Sequence, residues 1–307
     1  MTQDEYFIQR CFQLASNGLG RTRPNPLVGC VVVREGEILS EGFHQQHGGW
    51  HAERNALLRN PEKDFRGATL YVNLEPCSHH GLTPPCADLI VEKGIKRVVC
   101  SNDDPNPLVS GRGFSILENA GIEVERHILE QEGRYLNRRF FTFMEQHRPY
   151  IILKWAESAD GFMAPSQQQS YWISAPHQTL LSHKWRTEEA AILVGSQTYL
   201  DDHPQLTARL WKGLNPQPIV LDRRNRLLDV PAHWLHLRCE TLAEVMQVLY
   251  EKKLQSVIVE GGRHVLDAFI EAGLYDEVRV FRNPDVFYHQ GLKAPAIPPC
   301  QQIHIVQ

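Results

Sequence analysis

His51-Ala52-Glu53, then Glu75-Pro76-Cys77, then eight residues and Cys86, decide how this chain is read. One imidazole and two thiols make a sound zinc set, because Zn²⁺ takes nitrogen and sulfur ligands tetrahedrally. Three protein ligands leave a fourth position for water, which is the arrangement of a catalytic rather than a closed structural site. Glu53 stands two residues beyond His51, placed to move protons without binding the metal. A lone His-Ala-Glu is ordinarily surface helix, and a lone cysteine pair is ordinarily two buried thiols. Their combination, with Pro76 before the first cysteine and Thr83-Pro84-Pro85 before the second, favours the metal site. Cys86 is expected to open a helix running to residue 93, whose N-terminus favours the thiolate that zinc requires.

The order H-x-E, then P-C, then a second Cys is the pattern of zinc deaminases, in which the glutamate is the general acid/base. The usual two-residue gap between the thiols is here a longer loop. The rest of the composition fits an enzyme of this kind. At 307 residues the chain has room for two domains. Its 42% hydrophobic and 22% charged content is that of ordinary globular protein. A net charge of −4 recommends no nucleic-acid surface, and no apolar run reaches membrane-span length. The acidic, polar start Met1-Thr2-Gln3-Asp4-Glu5 gives no sign of a signal peptide. Seven scattered cysteines, an odd number, suit a reducing cytoplasm.

Around the zinc stretch the pattern alternates strand and helix. Thr2-x-x-Glu5 predicts a capping-box helix start, with Tyr6, Ile8, Cys11, Phe12 and Ala15 at roughly helical spacing. Arg23-Pro24-Asn25-Pro26 cannot be helix, since each proline restricts the residue before it. Residues 28–33 and 38–42 read as a hairpin about Glu35-Gly36, and residues 69–74 as a strand that delivers Glu75-Pro76-Cys77. Further strands at 98–100 and 122–124 complete a β-β-α-β-α-β-α-β order, which implies a mixed sheet with helices on its faces. His44 and His47 fall in a loop, either lining the site or solvated. Residues 125–148 carry no strand pattern, although 133–143 suit a helix.

These motifs, with Ser78-His79-His80-Gly81, Asp104-Pro105-Asn106-Pro107 and Gly111-Arg112-Gly113, resemble the bifunctional deaminase-reductase family of riboflavin biosynthesis. The resemblance implies an α/β protein of two domains. Residues 1–147 would form a cytidine-deaminase-like, three-layer α/β/α zinc domain, and residues 148–307 a dihydrofolate-reductase-like α/β domain. It implies zinc on His51, Cys77 and Cys86, Glu53 as proton carrier, and Asn25 and His44 toward the pyrimidine.

The second half carries its own matching pieces: Lys154 to Gly161, Trp172-Ile173-Ser174, Thr198, Asp202-His203-Pro204-x-Leu206-Thr207-x-Arg209, and Glu260-Gly261-Gly262. Strand, Gly-Gly, then helix is a ready phosphate cradle, because free backbone N–H groups and the helix dipole both favour an anion. It is not G-x-G-x-x-G, so the usual dinucleotide fingerprint is absent. Ser174 is a candidate N-cap for a helix through His183 and Arg186. By the resemblance, Ala156, Trp172, Thr198, Asp202, Gly261, Gly262 and His264 would meet NADPH. Arg223, where the family usually has a small residue, would face the cofactor's 2′-phosphate or is a plain surface charge. Ser170, Arg186, Leu206, Arg209 and Glu260 would meet the substrate, with the two arginines suited to its phosphate. The expected substrate is a pyrimidine ribosylamine phosphate, with no nucleic-acid or membrane partner, and the chain is expected to be a cytoplasmic homo-oligomer. Competing readings are a nucleobase or tRNA deaminase, a deaminase with a degenerate reductase half, and a zinc-stabilised scaffold.

Overall fold

The computed structural model describes residues 1–78, 84–106, 110–166 and 173–307. Ser170, Trp172 and the loop motif residues His79, His80, Gly81, Thr83 and Pro107 lie outside the described residues. The chain divides into two compact units, Met1–Gln146 and His147–Gln307.

The first unit runs α1 (Gln3–Ser16), β1 (Gly29–Arg34), β2 (Glu37–Phe43), α2 (Ala52–Leu58), β3 (Thr69–Leu74), α3 (Cys86–Glu92), β4 (Arg97–Asn102), α4 (Arg112–Asn119), β5 (Glu123–Glu125), α5 (Glu130–Leu136) and α6 (Arg138–Gln146). Among the described residues its sheet has the order β2-β1-β3-β4-β5, antiparallel on the β2 side and parallel from β3 to β5. Alternation along the strands sorts the core into two layers. Cys30, Val32, Leu70, Val72, Val98 and Cys100 face α2, α3 and α4, where Ala56, Leu57, Ile90, Phe114 and Leu117 are buried. Val31, Val33, Tyr71 and Val99 face α1 through Phe7, Ile8 and Cys11. The expected capping box forms: the Thr2 hydroxyl accepts from Glu5 N at 3.2 Å, and Thr2 N donates to the Glu5 carboxylate at 2.7 Å.

The second unit runs β6 (Tyr150–Ser158), β7 (Phe162–Pro165), α7 (Pro176–Glu188), β8 (Ala191–Gly195), α8 (Ser196–Asp202), β9 (Gln217–Leu221), β10 (Leu235–Leu237), α9 (Leu242–Glu251), β11 (Ser256–Glu260), α10 (Arg263–Glu271), β12 (Glu277–Asn283), β13 (Gly291–Lys293) and β14 (Gln302–Val306). Its main sheet has the order β10-β9-β8-β11-β6-β12-β14, and each of these pairings is parallel. Strands buried on both faces read as unbroken apolar runs, which is why 150–153, 191–194 and 257–259 show no alternation. Two details depart from the sequence reading. The N-cap of α7 is Ala175, not Ser174, because Pro176 fixes the first helical position and the Gln178 side chain accepts from Ala175 N at 2.9 Å. Residues 196–198, which the apolar run 191–195 suggests as its continuation, instead open α8. Among the described residues, no helix is long and apolar enough to cross a membrane.

Candidate active sites

His51 is the N-cap of α2, Cys77 follows β3, and Cys86 is the first residue of α3. Three elements therefore bring three ligands to one point. The His51 Nδ1 atom lies 3.4 Å from Cys77 Sγ and 3.5 Å from Cys86 Sγ. Tetrahedral zinc, with bonds of roughly 2.0–2.3 Å, would set nitrogen and sulfur about 3.5 Å apart, so this donor set fits the ion. Among the described residues it is the one group of three or more potential ligands whose atoms converge in this way. The backbone N–H of Cys86 donates to Cys77 Sγ at 3.3 Å. The Cys77 thiol is drawn below its ordinary value, first by its hydrogen bond with Cys86. The same contact, with burial, holds Cys86 well above its ordinary value.

Glu53 lies in the first turn of α2, 3% exposed, and its Oε2 atom has no hydrogen-bond partner. Burial pushes its carboxyl up to about 7. A buried carboxyl poised near neutrality, with an unsatisfied oxygen beside an open ligand set, is equipped to exchange a proton with water.

Asn25 and His44 are brought to this site. Asn25 Nδ2 lies 3.1 Å from His44 Nε2, and the His44 ring centroid is 5.6 Å from that of His51. His44 Nδ1 lies 3.0 Å from the Trp50 carbonyl, which can only accept. The proton therefore sits on Nδ1, and Nε2 accepts from Asn25. Burial lowers the His44 pKa, which keeps the ring neutral.

Several supporting residues were not singled out from sequence. Asn55, one turn after His51, donates to the carbonyls of Phe43 at 2.8 Å and Trp50 at 3.0 Å. Glu75 accepts from the backbone N–H groups of Asp104, Gly111 and Gly113 at 3.3, 3.0 and 3.0 Å, which ties Asp104 and the start of α4 to the segment that carries Cys77. Burial raises the Asp104 carboxyl to about 7. Asn55, an isolated polar residue inside an apolar run, has no spacing by which to recognise it; the Glu75-Pro76-Cys77, Asp104-Pro105-Asn106-Pro107 and Gly111-Arg112-Gly113 motifs gave a signal, though not these contacts.

In the second unit the carboxyl ends of β6, β8, β9 and β11 carry the other expected residues, the place where open parallel sheets bind ligands. Glu260 is clasped by Lys154 and by Arg186 Nη2, the latter at 2.9 Å, and Arg186 Nη1 donates to the Thr207 carbonyl at 3.1 Å. Burial opposes ionisation, yet the two cations draw Glu260 down to about 2. Leu206 is buried next to this group with φ at 53°. His183 is buried and feels Arg186, Arg209 and Glu260, and burial lowers its pKa. Gly261 has φ at +135°, which an L side chain rarely adopts, and Gly262 N donates to the Thr198 hydroxyl at 2.9 Å. The Gly-Gly turn therefore leads from β11 into α10 with the Gly262 N–H held by Thr198. Ala156 pairs with Phe281 inside the sheet, Asp202 closes α8, and exposed Arg223 follows β9. His264 is exposed in the first turn of α10, and Arg209 is exposed.

Comparison with known proteins matches separate stretches of the chain to different families. The profile described as cytidine and deoxycytidylate deaminase zinc-binding region matches residues 1–102, and that described as RibD C-terminal domain matches residues 149–287. The riboflavin biosynthesis protein RibD of Actinobacillus pleuropneumoniae is 38% identical, over 96% of this chain and 87% of its own length. RibD of Escherichia coli K12 is 38% identical over 92% of this chain and 88% of its own. A solved diaminohydroxyphosphoribosylaminopyrimidine deaminase/5-amino-6-(5-phosphoribosylamino)uracil reductase from Thermotoga maritima superposes with a TM-score of 0.87 at 38% identity, covering 97% of this chain and 93% of that one. Acinetobacter baumannii RibD superposes with a TM-score of 0.88 at 36% identity, covering 95% and 89%.

Proposed function

The chain belongs to the bifunctional deaminase-reductase family of riboflavin biosynthesis, and from that premise we propose that it deaminates the diaminopyrimidinone ribosylamine phosphate of that pathway and then reduces the ribose of the deaminated product with NADPH. One observation carries the deaminase half: His51, Cys77 and Cys86 converge at zinc-binding distances beside the buried, half-satisfied carboxyl of Glu53.

Zinc, when bound by these three residues, would lower the pKa of a water toward neutrality. Glu53 takes a proton from the attacking water and later hands protons to the departing ammonia. Its position near neutrality suits both directions of transfer. Asn25 reads the pyrimidine edge. One hydrogen of its amide nitrogen is held by His44, which leaves its oxygen and the second hydrogen to meet the ring. The buried walls of the site exclude bulk water and keep the proton on this path.

In the reductase half, the Gly261–Gly262 turn and Thr198 receive the dinucleotide phosphates at the N-terminus of α10. Ala156, Asp202 and His264 complete the cofactor site, Trp172 is assigned to the cofactor by the family resemblance alone, and Arg223 faces the 2′-phosphate. The nicotinamide supplies the hydride, which goes to the anomeric carbon of the ring-opened sugar. Glu260, kept ionised by Lys154 and Arg186, accepts hydrogen bonds from the ribose. Arg186 is engaged with Glu260 and Thr207, so exposed Arg209 is the guanidinium offered to the substrate phosphate. Ser170, by the family resemblance alone, and Leu206 are assigned to the same substrate.

One incubation with the pyrimidine substrate, zinc and NADPH, with ammonia release and NADPH oxidation read separately, tests both halves. Both signals are expected, with ammonia first. Absence of both from folded, zinc-loaded protein would overturn the proposal. NADH oxidised as readily as NADPH would remove the role given to Arg223.

A further inference from the structure

The segment between the two family matches, residues 103–148, has no part in either matched region. Within it, α5 and α6 meet at Asn137, which is 3% exposed. Both polar atoms of its amide go to the backbone of one distant residue. Leu27 N donates to Asn137 Oδ1 at 2.8 Å, and Asn137 Nδ2 donates to the Leu27 carbonyl at 2.9 Å. A second buried amide completes the clamp. Asn73 Nδ2 donates to the same Leu27 carbonyl at 2.9 Å, and Asn73 Oδ1 accepts from Gly29 N at 2.7 Å. The Val28 carbonyl accepts from His44 N at 2.9 Å.

We infer that Asn137 is a positioning residue for the deaminase site, fixing through Leu27 the place of Asn25 beside the zinc ligands. This rests on the deaminase reading above. The mechanical link is short. Pro26 separates Asn25 from Leu27, and its ring fixes one dihedral and restricts the residue before it. Asn25 N donates to the Thr22 carbonyl at 2.8 Å, which removes most of the remaining freedom. A displacement of the Leu27 peptide is therefore passed to the Asn25 side chain rather than absorbed. The same segment sets His44, because Val28 holds its amide, and the Asn25–His44 contact fixes which face of the Asn25 amide meets the substrate. Misplacement of a substrate-orienting group by about 1 Å can cost up to roughly a hundredfold in rate.

The test is a double-mutant cycle on the full-length, zinc-loaded protein. Asn137→Ala should lower deaminase kcat/KM by about 10–100-fold, much of it in KM, at unchanged zinc content. NADPH oxidation on already deaminated substrate should stay at the wild-type rate. Because Asn137 acts through Asn25, adding Asn137→Ala to Asn25→Ala should cost little more than Asn25→Ala alone. Hydrogen exchange supplies a readout independent of substrate: the amides of Asn25, Leu27, Val28 and Gly29 should exchange faster in Asn137→Ala, while those of α2 should not. Asn137→Ser keeps a small polar group that can meet one of the two Leu27 atoms but not both; it is the second variant if the alanine protein folds poorly, and should give the same pattern. Additive losses in the cycle, or unchanged exchange at Asn25, Leu27, Val28 and Gly29, would overturn the inference. A wild type that releases no ammonia would sink the functional reading instead, and the exchange experiment would still decide the clamp.

Discussion

Glu260 is buried between Lys154 and Arg186, and its ionisation is linked to the stability of the second unit. Its carboxyl titrates at about 2 in the folded chain, against an ordinary value of 4.5. A depressed carboxylate stabilises the fold above its unfolded pKa, and that contribution drains as pH falls toward the folded value. The expected contribution is about 3 kcal/mol, present above pH ~4.5 and lost by pH ~2. Unfolding followed across that range should show this dependence in the wild type and lose it in Glu260→Gln. An identical acid profile in the two proteins would mean the carboxylate is not held by its neighbours. At the zinc site, Cys77→Ser replaces a thiolate with a hydroxyl, which is a poor zinc ligand. Zinc content and ammonia release should fall together, by more than the roughly 10–100-fold that loss of an outer partner costs. Full ammonia release from a metal-free variant would refute the site. His51, Cys77 and Cys86 could be picked out because their residue types and order have few other uses. Asn55, Asn73 and Asn137 could not, since each works through one distant carbonyl or N–H and leaves no pattern in the sequence.

The glycine in β2 shows how an element places a site. A Cβ at Gly42 would sit 2.4 Å from Ala56 N and 2.5 Å from Ala52 O, so α2 lies directly on the strand there. That approach sets the depth of His51 and Glu53 at the helix start. Gly42→Ala should push α2 outward, cost about 1–3 kcal/mol as overpacking does, and weaken zinc binding. Thermal unfolding and a zinc titration measure both, and an unchanged zinc affinity would show that the ligands do not depend on this contact. Elements with a buried face were legible: β3 falls on the residues 69–74 read from its apolar run. Those without one were not. Helix α8 has no buried residue, and β14 leaves Ile303 and Ile305 exposed at the sheet margin, so neither shows a period. The break between α5 and α6 is marked by no proline, and the glycine nearby, Gly133, lies inside α5.

At the scale of the molecule, the residues assigned to each reaction fall in separate compact units. Glu53 and the zinc ligands lie within Met1–Gln146, and the described residues assigned to hydride transfer lie within His147–Gln307. If each unit holds a complete site, the two reactions can be uncoupled by one atom. Glu53→Gln keeps the size and shape of the side chain and cannot carry the proton. General acid/base groups typically contribute roughly 10²–10⁴-fold, so ammonia release should collapse by that order. Zinc should remain bound, because Glu53 is not among the converging ligands. Given substrate that is already deaminated, the variant should oxidise NADPH at close to the wild-type rate. Loss of both activities in a folded, zinc-loaded variant would mean that the two reactions share one site, against the division of residues argued here. Retained ammonia release would mean that a group other than Glu53 moves the proton; buried Asp104, also held near neutrality, would then be the next carboxyl to test.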